Sequence, residues 1–353
     1  LGARVIKVKR PDTGDDTRAF PPLVDGQSGY FAALNHGKQS IALDLTDSND
    51  RGVFEQLLAR SDVLIENFRP GTMEKLGYGW ELQPRHPALI YGSVSGFGRT
   101  GPEAGKAAYD MVVQARGGVM SITGQPHGPP VQVGAPVGDI VAGMYLAQGV
   151  LAALHDRAET GKGRLVDVAM LDGVFAILEH AIAITAVTGT PPGPTGARHP
   201  AITPFSTFRA KDGFFVIAAG NDALFARLAE ALGRPDWPDD PRFASNAARC
   251  EHPDLMKRVI ETITIEKPAD RWIELLEAAG VPTGPVQDVG RAMADPQLLA
   301  RNMVTALDGD GPFVAAGNPI KMTGLDDPGS RPAAPALDGD RDAVLDWLNA
   351  GEE

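Results

Sequence analysis

Residues 137–168 read VGDIVAGMYLAQGVLAALHDRAETGKGRLVDV and contain two patterns that together indicate the fold. Apolar side chains recur at helical spacing across residues 140–157, which predicts a helix with an apolar face. A short apolar run at residues 165–168 predicts a strand. A helix that leads directly into an apolar strand is typical of proteins in which helices cover the faces of a mostly parallel sheet.

The same alternation continues towards the N-terminus. Residues 5–8, 63–65 and 89–94 are apolar and β-rich, and each run predicts a strand. Residues 52–60 and 111–116 carry apolar side chains at helical spacing and predict helices. The first half of the chain therefore predicts an α/β fold.

The second half has a different character. Residues 190–196 are rich in proline and glycine and predict a linker, and residues 205–208 and 214–219 flank a hairpin signal at Lys211-Asp212-Gly213. Helical spacing then predicts helices at residues 223–232, 255–263, 269–279 and 342–348. We expect a large α/β domain formed by residues 1–190 and 300–353, and a smaller α+β domain formed by residues 198–299.

The composition excludes several classes of function. The 353 residues carry a net charge of −12, which is opposite to the positive surface that nonspecific nucleic-acid binding requires. Cys250 is the only cysteine, which excludes an intrachain disulfide and a cysteine metal cluster and fits a reducing, cytoplasmic location. Apolar runs stop short of membrane-spanning length, so no membrane segment is predicted. Because the sequence begins at Leu1, we expect a further N-terminal segment.

Two motifs resemble known catalytic or cofactor signatures but lack their context. Residues 96–101 match the dinucleotide fingerprint G-x-G-x-x-G, yet Pro102 follows at once and no helix is predicted to open within the motif. Residues 92–96 resemble a nucleophile elbow, but Val94 occupies the position of the serine. Cys250 lies in a polar stretch that does not favour a reactive thiolate, and no histidine pair has metal-ligand spacing.

Gly138 and Asp139 directly precede the apolar helix predicted from residue 140, and two roles for Asp139 stay open. As a helix N-cap, its carboxylate would only satisfy free N–H groups of the first turn. The same position also suits a carboxylate nucleophile, because the N–H groups and the helix dipole favour the ionised form.

Nine stretches of the chain, taken in order, resemble the class III coenzyme A transferases, the family that includes formyl-CoA transferase and the related 2-methylacyl-CoA racemases. They are LGARVIKV (1–8), GDDTR (14–18), LNHGKQS (34–40), ENFRPG (66–71), SVSGFG (93–98), YD (109–110), GD (138–139), HP (199–200) and GVP (280–282). The resemblance implies a Rossmann-like large domain built from both chain ends, a small domain between them and an interlocked homodimer.

The resemblance also implies the chemistry. Asp139 matches the family's nucleophile, whose carboxylate attacks an acyl-CoA thioester to give an aspartyl anhydride and then an aspartyl-CoA thioester. Asp110 is expected to support this site through hydrogen bonds, although it is also a candidate N-cap for residues 111–116. The N–H groups near Gly117 and Gly118 are candidates for stabilising an oxyanion. The reaction needs no metal and no permanently bound cofactor, since coenzyme A is a substrate.

Coenzyme A itself is expected to be bound by a third set of residues. Positions that match the family's nucleotide contacts, together with Lys38 in the matched stretch 34–40, are Arg10, Lys38, Asn67, Phe68, Lys75 and Leu76. Phe68 would pack on the adenine, and Lys75 would reach a phosphate. Basic residues are also concentrated at the start of this acidic chain, at Arg4, Lys7, Lys9 and Arg10, where they suit a phosphate ligand or simply a solvated strand end.

Two alternative functions remain. Racemases of this superfamily have a histidine where this chain has Tyr109, so the proton exchange of an acyl-CoA racemase or isomerase would lack one partner. A noncatalytic protein that binds CoA esters would use Asp139 only as a cap. The sequence near residues 193–201 also lacks the glycine-rich loop of formyl-CoA transferase, which argues against formyl or oxalyl specificity.

Overall fold

The computed structural model describes residues 2–309 and 311–350; Leu1, Asp310 and residues 351–353 lie outside this description. The chain separates into two compact units. The first joins the N-terminal part up to Ala107, the segment Ala142–Ala169 and the C-terminal part from Val289. The second consists of Ala108–Val141 and Met170–Asp288.

The described strands and helices are numbered in chain order. The strands are β1 (Ile6–Lys9), β2 (Leu23–Val24), β3 (Gln27–Ser28), β4 (Gln39–Ala42), β5 (Val63–Glu66), β6 (Ile90–Ser95), β7 (Leu165–Ala169), β8 (Phe205–Arg209), β9 (Phe214–Ala218), β10 (Thr283–Pro285), β11 (Val304–Leu307), β12 (Val314–Ala316) and β13 (Ser330–Arg331). The helices are α1 (Gly29–Asn35), α2 (Ser48–Ala59), α3 (Thr72–Leu76), α4 (Asp110–Arg116), α5 (Val119–Ile122), α6 (Val137–Thr160), α7 (Met170–Ala176), α8 (Glu179–Thr188), α9 (Asp222–Ala231), α10 (Asn246–Glu251), α11 (Pro253–Thr264), α12 (Ala269–Ala278), α13 (Val289–Met293), α14 (Pro296–Ala300) and α15 (Arg341–Asn349). Short 3-10 turns occur at Asp16–Ala19, Trp80–Leu82 and Trp237–Asp239.

Parallel strands form the centre of the first unit, as the alternation of strands and helices predicted. They pair in two separate sheets, β1 with β4 and β5–β6–β7 in that order, rather than in one. The core between these strands and the helices contains fully buried side chains such as Ile41, Tyr78, Tyr91 and Val344. The mixed α/β architecture is thus confirmed, and α15 near the C-terminal end contributes Val344 to the same core as Ile41 of β4.

Helix α6 lies against β6 and β7 at two glycines. A Cβ atom on Gly92 of β6 would come within 3.1 Å of Leu146 Cδ1, and one on Gly149 of α6 would come within 2.5 Å of Val166 Cγ1 in β7. Glycine at these two positions lets the helix backbone approach the sheet closely. Leu146 is accordingly buried.

An antiparallel sheet with the strand order β10–β9–β8 forms the centre of the second unit. The predicted hairpin is present, since Phe208 pairs with Phe215 on either side of the Lys211-Asp212-Gly213 turn. Helices α9, α11 and α12 cover the sheet, and the buried rings of Phe225, Trp237 and Trp272 fill the core between them. The α+β character predicted for this region is therefore observed.

The second unit also contains α4, α5, α7 and α8, which the domain prediction assigned with residues 1–190 to the large domain. These helices pack on one another: a Cβ atom on Gly117, at the end of α4, would come within 2.5 Å of Val174 Cγ1 in α7. A helix that packs on other helices shows the same apolar spacing as a helix that packs on a sheet. The sequence pattern therefore does not show which helices of residues 1–190 belong to the second unit.

Helix α6 is also longer than predicted. Within the described residues it is the one helix long and apolar enough to cross a membrane, and the bent pair α7 and α8 passes the same test jointly. The sequence predicted no apolar segment of membrane-spanning length. The length of α6 differs from this prediction because the helix extends beyond residues 140–157 at both ends. One or two such helices are weak evidence for a membrane protein, since core helices of soluble proteins have the same character.

Candidate active site

Asp139 lies in the first turn of α6, on the third residue of the helix rather than at its cap. The helix begins at Val137, and the N–H group of Ile140 donates to the carbonyl of Pro136 at 3.0 Å. Asp139 therefore does not occupy the N-cap position that was one of the two roles left open for it. This placement is compatible with the other role, a carboxylate nucleophile, because the positive end of a 24-residue helix attracts negative charge in its first turn.

Asp110 holds the start of α6 in place. Its Oδ1 atom accepts a hydrogen bond from the N–H group of Gly138 at 2.8 Å, and its Oδ2 atom accepts one from Gln114 Nε2 at 2.6 Å. Asp110 is itself the first residue of α4, which is capped by Tyr109 without a side-chain hydrogen bond, so Asp110 does not occupy the N-cap position considered as the alternative to its supporting role. Its carboxylate bonds instead to the residue directly before Asp139.

Gln114 continues this network and was not foreseen as a site residue. It is fully buried one helical turn after Asp110, and its Oε1 atom accepts from the N–H group of Val133 at 2.9 Å. Asp110 and Gln114 together fix two points of the chain that leads into α6. The i, i+4 spacing of an aspartate and a glutamine on a predicted helix was the available signal.

Gly138 allows the close approach that this hydrogen bond requires. A Cβ atom at this position would lie 2.7 Å from Val113 Cγ2 and 3.0 Å from Asp110 Oδ1. Both distances are shorter than ordinary van der Waals contacts, so any side chain at residue 138 would push α4 and the start of α6 apart. Gly138 thereby sets the spacing between the two aspartates.

The environment of Asp139 disfavours its charge. The pKa of its carboxyl group is raised, first because surrounding protein displaces part of its water and second because of the negative charge of Asp110. Asp139 is nevertheless exposed, so a substrate can reach it from solvent. The neighbouring Tyr109 is 84% exposed and also open to solvent.

The two glycines after α4 have structural constraints of their own. The N–H group of Gly117 donates to the carbonyl of Val113 at 2.7 Å, so an oxyanion role for this group would need that bond to open. Gly118 has a φ angle of +92°, a conformation that favours glycine over residues with a side chain. Asp110, Tyr109, Gly117, Gly118 and Asp139 all belong to the second unit.

The residues expected to bind coenzyme A belong to the first unit. Asn67 and Phe68 directly follow β5, and the ring of Phe68 is 53% exposed. Lys75 and Leu76 end the short helix α3, where Lys75 is exposed and Leu76 is half-buried. Since the carboxyl ends of parallel strands are a common place for nucleotide binding, the position after β5 suits this role.

Arg10 and Lys38 follow or precede other strands of the same unit. Arg10 is exposed directly after β1 and makes a solvent-exposed ion pair with Asp16 at 3.6 Å. Lys38, just before β4, donates to Asn35 Oδ1 at 3.2 Å. The pKa of Lys38 is lowered by burial and by the charge of Lys7, which would favour a bound anion beside it.

Two further charged residues next to the coenzyme A set were missed. Glu66 is buried at the end of β5 and accepts from the N–H group of Phe68, and Arg99 forms ion pairs with Glu66 and Glu74. Arg99 belongs to the segment 96–101, which is a loop, so the dismissal of the dinucleotide fingerprint agrees with the structure. Within the described residues, no group of three or more potential ligand side chains could hold a metal ion.

The comparisons with known proteins agree on one family. The model of "CoA-transferase family III" matches residues 1–341. An acetyl-CoA:oxalate CoA-transferase of Acetobacter aceti is 46% identical over 96% of this chain and 87% of its own length. A succinyl-CoA:mesaconate CoA-transferase of Haloarcula hispanica is 41% identical over 99% of this chain and 91% of its own length.

Solved structures support the same relationship. A CAIB/BAIF family protein from Brucella suis superposes with a TM-score of 0.88 at 37% sequence identity, covering 99% of this chain and 92% of that protein. Fold and sequence together define an enzyme that transfers coenzyme A. The chain belongs to CoA-transferase family III. The resemblance drawn from its nine sequence stretches is thereby confirmed.

Proposed function

We propose that the protein transfers coenzyme A from an acyl-CoA to a carboxylic acid through covalent intermediates on Asp139. The observation that carries this proposal is the placement of Asp139 in the first turn of α6. It directly follows Gly138, whose N–H group donates to Asp110. The positive end of the helix attracts negative charge, but burial and the charge of Asp110 outweigh it and raise the pKa of Asp139, so the ionised carboxylate is a stronger base.

The reaction would proceed in four acyl-transfer steps. A carboxylate oxygen of Asp139 attacks the thioester carbonyl, the carbon–sulfur bond breaks, and a mixed anhydride and CoA thiolate form. The thiolate attacks the Asp139 carbonyl and releases the donor acid, leaving an aspartyl-CoA thioester. The acceptor carboxylate then attacks this thioester, which releases CoA thiolate and gives a second anhydride. The thiolate attacks the acceptor's acyl carbonyl in this anhydride, so the new acyl-CoA forms and the carboxylate of Asp139 is released. The thiolate is an acceptable leaving group because a thiol has a pKa of about 8.5.

We propose that the nucleotide part of coenzyme A is bound in the first unit by Asn67, Phe68, Lys75 and Leu76, with Arg10 and Lys38 as further cations. The half-exposed ring of Phe68 supports stacking on adenine, and the exposed ammonium of Lys75 supports a phosphate contact. On this view coenzyme A is a substrate, and no permanently bound cofactor or metal takes part.

For the acceptor, we propose a dicarboxylic acid. The names of the two relatives give oxalate and mesaconate as acceptors and acetyl-CoA or succinyl-CoA as donors, and both acceptors are dicarboxylic acids. Oxalate remains a candidate here, although the segment near residues 193–201 lacks the glycine-rich loop of formyl-CoA transferase. A panel of dicarboxylic acids with acetyl-CoA and succinyl-CoA as donors tests this assignment by mass spectrometry of the products.

The racemase and binding-protein alternatives have less support. Tyr109 stands where a racemase would need a histidine, and its side chain is 84% exposed. A binding protein would need Asp139 only as a helix cap, and Asp139 is not at the cap position. Incorporation of solvent deuterium at the α-carbon of a 2-methylacyl-CoA would favour the racemase.

Replacement of Asp139 tests the proposal directly. Asp139→Asn and Asp139→Ala are expected to abolish CoA transfer, while binding of coenzyme A measured by calorimetry persists. Because the pKa of Asp139 is raised in the folded protein, its ionised form opposes folding above the ordinary carboxyl pKa. Both variants should therefore melt no lower than the wild-type protein at neutral pH, which separates lost chemistry from lost structure.

Trapping and a matched control complete this experiment. After incubation with an acyl-CoA, borohydride should convert Asp139 to homoserine, which peptide mass spectrometry locates. Asp156 lies on the same helix, and its carboxylate pairs with Arg164 at 2.7 Å, so Asp156→Asn is the control and should keep full turnover. Unchanged turnover in the Asp139 variants would rule out the nucleophile.

A further inference from the structure

Arg99 lies between two acidic side chains from different segments of the first unit. Its Nη1 atom is 3.7 Å from Glu66 Oε1, and its Nη2 atom bonds to Glu74 Oε1. The side chains of Glu66 and Arg99 are 4% and 16% exposed, so most of this arrangement is shielded from water. Ion pairs in such surroundings are screened little and constrain geometry more than surface pairs do.

Each of the two acids is joined to a segment that the proposed function assigns to coenzyme A. Glu66 Oε2 accepts a hydrogen bond from the N–H group of Phe68 at 2.8 Å, which orients the backbone of the Asn67–Phe68 turn. Glu74 lies on α3 directly before Lys75 and Leu76. A single guanidinium group therefore bridges the turn expected to stack on the adenine and the helix expected to reach a phosphate.

Arg99 has a fixed position of its own. Its backbone N–H group donates to Asp167 Oδ2 in β7 at 3.1 Å, and it lies four residues after the end of β6. The bridge thus rests on the carboxyl-terminal region of the β5–β6–β7 sheet, where parallel sheets commonly bind nucleotides. Residues 96–101 match a dinucleotide fingerprint without its helix, and Arg99 gives this segment another role.

We propose that Arg99 is a positioning residue for nucleotide binding, which fixes the Asn67–Phe68 turn and helix α3 relative to one another through Glu66 and Glu74. This inference rests on the proposed function, because that proposal assigns Phe68 and Lys75 to coenzyme A. Arg99 touches no substrate atom in this scheme, so it acts on affinity for the nucleotide and not on the acyl transfer at Asp139.

Charge explains why arginine is needed at residue 99. Burial raises the pKa of Glu66, whereas Arg99, Ser93 and the Phe68 N–H group favour its ionised form. Without the guanidinium, the buried charge of Glu66 would have fewer partners. The hydrogen bond by which Glu66 orients the Asn67–Phe68 turn would then be weakened. A lysine can replace the charge but cannot reach two carboxylates with a planar fork.

Calorimetry with three ligands tests the proposal: coenzyme A, adenosine 3′,5′-bisphosphate and pantetheine. Arg99→Gln is expected to weaken binding of the first two ligands by about tenfold and to leave pantetheine binding unchanged. Arg99→Lys should restore part of the loss, and Glu74→Gln should weaken the same two ligands. With saturating acyl-CoA, turnover of these variants should stay close to that of the wild-type protein.

The controls separate positioning from general damage. Arg164 makes a solvent-exposed pair with Asp156, so Arg164→Gln should bind all three ligands normally. If Arg99→Gln fails to fold, Arg99→Lys and Glu74→Gln decide the question. Equal weakening of all three ligands, or unchanged nucleotide affinity in folded variants, would overturn the role of Arg99. If Phe68→Ala and Lys75→Ala also bind the nucleotide normally, the proposed coenzyme A site fails together with this inference.

Discussion

At the scale of single residues, the proposed site contains two aspartates with different surroundings. Asp139 presents its carboxylate to solvent in the first turn of a long helix, whereas Asp110 directs both oxygens to groups of the protein, Gly138 and Gln114. The negative charge of Asp110 reaches Asp139 and raises its pKa. A carboxylate with a raised pKa is a stronger base and a better nucleophile once it is ionised.

This arrangement predicts a change in pH dependence. In the proposed mechanism transfer needs ionised Asp139, so the rate should fall as the pH decreases through its raised pKa. Asp110→Asn removes the negative charge but can still accept from the Gly138 N–H group, so the pKa of Asp139 should decrease and the acid limb should move to lower pH. The pH profile of single-turnover acylation measures this shift. Asp156→Asn is the control, and an acid limb at unchanged or higher pH would contradict the coupling.

At the scale of elements, glycine residues allow α6 to lie close to the parallel sheet. Gly149 lies over Val166 of β7 at a distance that leaves no room for a Cβ atom, while Gly143 on the same helix has open space around it. The same substitution at these two positions should therefore have opposite effects on stability.

Gly149→Ala is expected to destabilise the protein by about 1–3 kcal/mol, since overpacking outweighs the gain in helix propensity. Gly143→Ala should stabilise it by up to about 1 kcal/mol, because only the propensity term remains. Thermal or denaturant unfolding of the two variants measures both effects. A stabilised Gly149→Ala variant would show that α6 is not held against β7 in this way.

The elements themselves were largely predictable. The strands at β1, β5, β6, β7, β8 and β9 lie within one residue of their predicted bounds, because apolar β-branched runs and the Lys211-Asp212-Gly213 turn are local signals. The exact starts of α4 and α6 were not, since Tyr109 caps α4 without a side-chain hydrogen bond and α6 begins directly after Pro136, which gives no cap signal in the sequence. The cap positions considered as alternatives for both aspartates are therefore not the positions that they occupy.

The candidate site was predictable only in part. The nine family stretches supplied Asp139, Asp110 and the segment at Asn67 and Phe68. The bridge from Arg99 to Glu66 and Glu74 joins residues 25 to 33 positions apart, and no periodicity or motif in one sequence reports such a contact. Tertiary packing alone brings these charges together.

At the scale of the whole molecule, two helices expose apolar side chains. Helix α8 has no buried residue although it carries Ile182, Ile184 and Val187, and α6 exposes Ile140 and Met144. Such extensive apolar exposure is typical of surfaces that contact another protein or a membrane. It supports the homodimer that we propose on the basis of the family resemblance.

The dimer proposal predicts a specific change in mass. Light scattering after size-exclusion chromatography should give twice the calculated mass of the polypeptide that is measured. Val187→Asp, on a side chain that is 86% exposed, should shift the population towards the monomer. Ile265→Lys at the end of α11 introduces a charge on another exposed apolar residue and should leave the mass unchanged. A monomeric wild-type protein would contradict the proposal.

The hydrogen bond between Asp110 and Gly138 has a consequence for reactivity. An amide proton at the start of a helix would ordinarily be shared with the nearest anion and would draw electron density from it. The Gly138 N–H group donates to Asp110 at 2.8 Å, so Asp110 and not Asp139 accepts this proton. The helix thus keeps its attraction for negative charge, while one of its N–H donors is already bonded to Asp110 and is not available to the carboxylate that we propose as the nucleophile.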